Sequence, residues 1–370
     1  MPKCIYCLKD DLSTTFNSRE HVIPKSLGRF APLNPTISGR VCDNCNSLFS
    51  PLEVNFTEDT YEGVFGQRLN IDNRGSIIIR DVNYKIERVS GFGEGFFMKM
   101  FPFLECKDGK IVPILKSQIK FKRRSGGYRI FFPETLENLP KGTKRFKRII
   151  NDLRNLDQKG ISIFAENRQE LESIIKLLHS LGIKYKEKKS YFNETKKGDK
   201  ILVDEKYTCS INKDVARVIA KIAFNYFAYC AMRSDCRDVL FLKEFDDVRN
   251  FIHSGDGGEM KDFILSISEE SILKEERDEK KRFIAHFITF LQEEGRLYAR
   301  VTFFGLPPVY KINFGVLPKE LNRSNFGCGH VFNPFDHTIY NLSQMPFNQL
   351  TEDQIQVSFG LFKSILNRDK

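Results

Sequence analysis

Two Cys-x-x-Cys pairs near the N-terminus, Cys4-Ile5-Tyr6-Cys7 and Cys42-Asp43-Asn44-Cys45, constrain this chain more than any other feature. A gap of two residues lets both thiolates of a pair reach one ion, and two such pairs supply the four sulfurs of a tetrahedral zinc site. Closing that site ties the ends of the segment between the pairs together. Four thiolates leave no open coordination position, so this zinc is expected to hold the fold rather than react. Unpaired thiols or bound iron are the competing readings. Nine cysteines in a reducing compartment favour metal ligands or free thiols over disulfides.

The clamp brackets Glu20-His21-Val22-Ile23-Pro24, and Asn46 follows the last cysteine. A lone histidine is more often a packing or surface residue than a catalyst. This one follows an acid, precedes two apolar residues and a proline, and lies between the two pairs. A neutral imidazole with a pKa near neutrality can take a proton from water. Glu20 offers a hard oxygen suited to a divalent cation, and Asn46 offers a second. Turn residues at Asn34-Pro35 and Ser38-Gly39 predict a strand ending at His21 and another ending near Val41, followed by a helix. Ser50-Pro51-Leu52-Glu53 reads as that helix's start, with serine as N-cap and proline at the first helical position.

The strings CIYC, SREHVIPKSLG and GRVCDNCNSLFSPLE together resemble the HNH endonucleases, the ββα-metal nucleases. The resemblance spans roughly residues 3–60, under a fifth of the chain. It implies that His21 is the general base and that Glu20 and Asn46 bind a catalytic divalent metal, Mg²⁺ or Mn²⁺. The family usually carries a middle Asn or His that orients the base, and its spacing falls near Ile37. Asn34 is the nearest candidate, and a backbone carbonyl near Ser38 or Gly39 is the other.

Beyond the head, 370 residues suggest two or three domains. The net charge of +10 favours a polyanionic partner. Residues 1–60 hold 6 Lys/Arg and 7 Asp/Glu, whereas residues 116–150 hold 11 and 2, so the excess is local. Lys120, Lys122, Arg123, Arg124, Lys144, Arg145, Lys147 and Arg148 are therefore the expected phosphate contacts, with a solvated β-domain face as the plainer reading. Tyr128 and Phe131 could stack on bases but suit the core of alternating strands better. Short β-branched runs predict strands from Gly75 to Pro133. Residues 160–189 read as strand, helix and strand, with Asn167 and Glu170 as a capping box and Gly182 ending the helix. Residues 212–232 form the clearest helix, apolar on most sides. The charged run 275–282 reads as a solvated loop, and residues 298–304 as a strand. Cys328-Gly329-His330 with His337 is too irregular for a strong metal site. His179 and His286 read as packing residues, Cys230 and Cys236 as inert. Gly91, Gly93 and Gly95 lack a following helix and give no phosphate loop.

The expected fold is α+β. A zinc-stabilised ββα-metal nuclease head (1–69) precedes a larger α+β domain (70–370), basic and β-rich over 75–150 and with a helical core around 212–232. The expected function is metal-dependent cleavage of DNA, double-stranded, with structural Zn²⁺ and catalytic Mg²⁺ or Mn²⁺, in restriction or anti-phage defence. A non-catalytic zinc-knuckle regulator and a nuclease acting on RNA are the alternatives. Without an apolar leader or spanning run, the expectation is a cytoplasmic protein with no membrane partner. Homo-oligomerisation or service as an accessory defence subunit is left open.

Overall fold

The computed structural model describes residues 2–30, 34–71, 76–79, 83–90, 103–107, 110–114, 116–123, 126–154, 160–185, 190–192, 202–208, 211–234, 236–267, 284–321 and 329–341. The Gly91–Gly95 run, Arg124, the charged run 275–282 and Cys328 lie outside them. Helices and sheets are both present, as an α+β chain requires. The chain divides into two compact units. One comprises Met1–Phe56, Asp108–Lys110 and Ile211–Lys370, the other Thr57–Lys107 and Ile111–Ser210. The expected division lay at residues 69/70. The head closes at Phe56, and residues from Ile211 onward fold with it.

The physical reason is size. Fewer than 60 residues bury too little of their own surface. The head's aromatic residues find their partners far along the chain. Helix α1 (Asp43–Asp59) carries Phe49, which packs on Tyr6 with ring centroids 4.8 Å apart, and Phe56, which packs on Phe303 at 5.5 Å. Phe30 meets Phe332 at 5.4 Å. Each such ring contributes about 1.5–3 kcal/mol by burial. Here the 34 phenylalanines of the chain acquire a use.

A six-stranded antiparallel sheet backs this unit, in the order β10 (Ile264–Ile267), β13 (Leu306–Val316), β12 (Arg296–Phe303), β11 (His286–Glu293), β14 (Gly329–Asn333), β15 (Thr338–Asn341). The strand expected over 298–304 is β12. The 21-residue helix α6 (Lys213–Arg233) packs on this sheet through Phe224, Tyr226 and Phe227, which meet Phe314 and Phe290. Asn212 caps α6, its side chain accepting from Val215 N at 2.9 Å. This helix is long and apolar enough to cross a membrane by length and composition, but it is buried within the unit. Helices α7 (Asp246–Ser254) and α8 (Met260–Phe263) follow.

The second unit contains α2 (Tyr61–Arg68) and a five-stranded sheet ordered β1 (Ser76–Ile79), β6 (Tyr128–Phe131), β5 (Gln118–Lys122), β7 (Ile161–Ala165), β8 (Ser190–Phe192). Only β7 and β8 run parallel among these pairs. Strand β2 (Asn83–Ser90) pairs with β9 (Leu202–Thr208), and β3 (Phe103–Lys107) with β4 (Lys110–Ile114). One sheet face buries Ile119, Phe121 and Phe131 against α4 (Lys144–Arg154) and α5 (Arg168–Ser180). The short helix α3 (Pro133–Glu137) adds Leu136 to that core. Ile77 and Ile130 face the other way and meet Val64 of α2. Asn167 caps α5 as expected, accepting from Glu170 N at 2.8 Å. The carboxylate of Glu170 accepts from Glu166 N rather than closing the box on Asn167. Gly182, at φ +70, ends the helix in a conformation other residues resist. The strand expected at residues 183–185 is absent there, and the edge strand is β8.

Candidate active site and zinc centre

The sulfurs of Cys4, Cys7, Cys42 and Cys45 all lie within 4.8 Å of one another, with Cys7 and Cys42 at 3.6 Å. Sulfurs about 2.3 Å from one tetrahedral ion fall at such separations, so the cluster fits zinc. The first pair sits on a tight turn. Cys4 N donates to Lys9 O at 2.8 Å, and Leu8 takes a left-handed φ of 60. A leucine there costs about 1 kcal/mol, which the clamp must offset. Burial pushes the Cys7 thiol up to about 11, whereas a hydrogen bond from Cys45 brings Cys4 down to about 5. Four such crowded groups cannot all ionise without a cation among them.

The second pair opens α1, which starts at Asp43 rather than at Ser50 and runs through Pro51. The expected start is corrected for a clear reason. Asp43 accepts from Ser18 Oγ at 2.6 Å, Thr15 Oγ1 at 2.5 Å and Ser18 N at 2.8 Å, which fixes the first turn beside the clamp. These bonds, Ser18's first, hold its carboxyl well below the usual range. Proline inside a helix loses one backbone bond, and here the fixed turn prevails.

The two expected strands of the head reduce to one bridge, His21 to Thr36. Val22 N donates to Pro35 O at 2.9 Å, and Ile37 N to Glu20 O at 3.0 Å. Asn34 does not orient His21. Its side chain accepts from Phe30 N at 2.5 Å.

Glu20 is only 4% exposed. Its Oε1 pairs with Lys221 Nζ and accepts from Asn225 Nδ2 at 2.8 Å, both on α6. Lys221 Nζ also meets Glu53 Oε1 at 2.6 Å. Asn225 Nδ2 reaches His21 O at 3.1 Å, and Tyr6 OH donates to Asn225 Oδ1 at 2.6 Å. Tyr6 lies inside the first cysteine pair, so one polar chain runs from the zinc turn to the His21 backbone. Burial pushes the Glu20 carboxyl up. Burial pulls the Lys221 pKa down, but Glu20 and Glu53 hold it above the ordinary lysine value. Arg249 of α7, 1% exposed, secures the same turn by donating to Ile5 O at 2.7 Å.

His21 is half-buried, and its Nδ1 is buried without a hydrogen-bond partner among the described residues. Burial, then the charge of Lys25, holds its pKa below the ordinary imidazole value, with Arg19 adding to the effect. It is therefore neutral at pH 7, with a ring nitrogen ready to accept.

One oxygen of the predicted divalent site is already taken. Glu20 Oε1 faces an ammonium and an amide N–H, both hydrogen donors, where a metal ligand needs a lone pair turned to an open position. Asn46 lies in the first turns of α1, half-buried, and its side chain makes no hydrogen bond among the described residues. No step is routed through a second metal.

The basic residues fare unevenly. Arg123 pairs with Glu58 at 3.0 Å and is not free for phosphate. Lys120 lies over the Tyr128 ring at 4.0 Å, and burial lowers its pKa. Tyr128 is 39% exposed while Phe131 is buried, so only the second is the core residue expected of both. Lys122, Lys144 and Lys147 are exposed. Arg145 and Arg148 belong to α4, but their side chains lie outside the described set. His286 is buried as expected, and His330 bonds Tyr226 OH through Nδ1 at 2.6 Å.

Lys221, Asn225 and Glu53 were not anticipated. A lysine and an asparagine inside an otherwise apolar helix were the available signal, because buried polar groups demand partners. Arg19 and Lys25 stand on either side of the Glu20-His21 pair and were legible as charge beside a candidate base.

The head combines a cysteine cluster that fits zinc with a half-buried, neutral histidine. Comparison with known families specifies it further: residues 4–52 match the HNH endonuclease family. The head is thus similar to a family whose members are nucleases, hydrolases that generally act on nucleic acid. No curated protein and no solved structure matches the chain.

Proposed function

We propose that the chain is an endonuclease that hydrolyses phosphodiester bonds in DNA, with His21 as general base. The carrying observation is the half-buried, neutral imidazole of His21, within the segment that matches the nuclease family. His21 takes a proton from water at a ring nitrogen. The hydroxide attacks phosphorus, the bond to the leaving oxygen breaks, and that oxygen departs with a proton from solvent. Arg19 and Lys25, both exposed, provide positive charge beside the imidazole for the phosphate and its developing negative charge. The zinc cluster holds the loop that carries His21.

Lys122, Lys144 and Lys147 of the second unit suit sequence-independent phosphate contact, as a nucleic-acid substrate requires. A place in restriction or anti-phage defence accords with a nuclease head. The Mg²⁺ or Mn²⁺ expected from the resemblance enters no step of this reading.

Cleavage of supercoiled plasmid by wild type and His21→Ala tests the assignment. Loss of at least ~100-fold in rate is expected, with zinc content and melting unchanged. Undiminished cleavage by the zinc-loaded variant would sink it. Faster cleavage of an RNA transcript than of plasmid would change the substrate, and binding without cleavage by wild type would leave a regulator.

A further inference from the structure

We propose that α6 closes the Glu20 site with a cation of its own, Lys221, and that Asn225 beside it positions His21. The inference rests on the reading of His21 as general base, and it replaces the second metal of that reading with a residue of the chain.

Three observations carry it. First, Lys221 Nζ bonds carboxylate oxygens of both Glu20 and Glu53, so a cation of the chain already sits between the two acids. Second, Lys221 is only 1% exposed and lies in the middle of a buried helix, so it cannot swing out without unpacking α6. A buried ammonium without partners would be strongly unfavourable, and here both carboxylates meet it. Third, Asn225 is one helical turn further along, at i+4, which places both side chains on one face. Its amide contacts the Glu20 carboxylate and the His21 carbonyl together, while its oxygen takes the Tyr6 hydroxyl. Every polar atom of that amide has a use.

This network supplies what the head itself lacks. Asn34 is engaged elsewhere, and a single bridge to Thr36 is the only strand-like pairing at His21 among the described residues. Asn225, 204 positions away in sequence, fixes the backbone at His21 from the opposite side. Lys221 and Asn225 touch no substrate in this arrangement. They are positioning residues.

The experiment uses full-length, zinc-loaded protein and Mn²⁺ as the probe, followed by electron paramagnetic resonance. Wild type and Glu20→Gln are expected to give the same Mn²⁺ titration, with no site that depends on Glu20. Lys221→Ala, which leaves two carboxylates facing a void, is expected to gain one Mn²⁺ site. A wild-type site lost in Glu20→Gln would overturn the proposal, because the metal would then displace Lys221. That result leaves the role of His21 untouched, so the two readings fail separately. In parallel, Asn225→Ala is expected to lower kcat at least tenfold with KM and zinc content unchanged. An unchanged kcat in zinc-loaded Asn225→Ala would also overturn it. Should either variant fail to fold, the wild-type and Glu20→Gln titrations still decide the outcome.

Discussion

The cysteine cluster and the Glu20 cluster anchor the same head by opposite means. The first gathers four anions, all within 42 positions of one another, and must import its cation. The second gathers Glu20, Glu53 and Lys221 from segments up to 201 positions apart and contains its cation already. An imported ion makes folding conditional on metal, whereas a lysine makes it conditional on a second part of the chain. The head is thus tied twice, once to zinc and once to α6.

The largest effect should come from breaking the first tie. Structural zinc supplies on the order of 10 kcal/mol of folding free energy in small domains. Cys42→Ser is therefore expected to release zinc and to abolish cooperative unfolding of residues 1–56, seen as loss of hydrogen-exchange protection there. A protected, active Cys42→Ser protein would mean that α6 alone suffices, and the comparison would collapse.

Breaking the second tie should cost less. Removing one partner of a buried ion pair typically costs about 3–5 kcal/mol, because the other charge stays buried. Lys221→Met should lose that much in urea unfolding, since it strands Glu20 and Glu53. Adding Glu20→Gln to Lys221→Met should recover most of the loss, as the uncompensated charge disappears. If the double variant is no more stable than the single one, the carboxylate is not what Lys221 neutralises.

The two anchors also differ in how far the sequence revealed them. Cys4, Cys7, Cys42 and Cys45 announce themselves by spacing, because a short chelate has a fixed geometry that local sequence must encode. His21 and Glu20 were visible as an acid and a base inside that clamp. The partner of Glu20 was not, since nothing local to Lys221 or Asn225 says what a buried helix will meet 200 residues away. The same blindness hides that residues from Ile211 onward cluster with the head. The apolar stripe of residues 212–232 promises a core helix, but not whose core. Strand readings erred where pairing is weakest, at the single His21–Thr36 bridge and at the edge strand β8.

A smaller effect separates charged anchors from a neutral one. His286 is fully buried, with Nε2 donating to Leu27 O at 2.8 Å and Nδ1 accepting from Phe304 N at 3.3 Å. Both bonds suit the neutral ring. Burial pushes its pKa down to about 4, with the Leu27 bond opposing. The folded value lies below that of the unfolded chain, about 6.5, so the unfolded state binds the proton first. Stability is therefore unaffected above pH 6.5 and falls as pH drops toward 4, by about 2 kcal/mol at pH 5. Urea midpoints of wild type and His286→Gln, compared between pH 7.5 and 5, isolate the contribution. An equal pH dependence in both proteins would remove His286 from the account.

The smallest effect sets buried lysines against exposed ones. Lys221 is enclosed by carboxylates, whereas Lys122 of β5 is exposed and has no such partner among the described residues. Lys120, two residues earlier on the same sheet face, rests on Tyr128. Only an exposed ammonium can release counterions from DNA, and each phosphate contact adds about 0.9 to the slope of log affinity against log salt. Lys122→Ala should flatten that slope by about 0.9 with little change in melting. Lys120→Ala should flatten it less, because its stem and charge are already committed to the sheet. A slope unchanged by Lys122→Ala would show that the basic sheet face does not touch the phosphates, and that Lys144 and Lys147 of α4 are the residues to vary next.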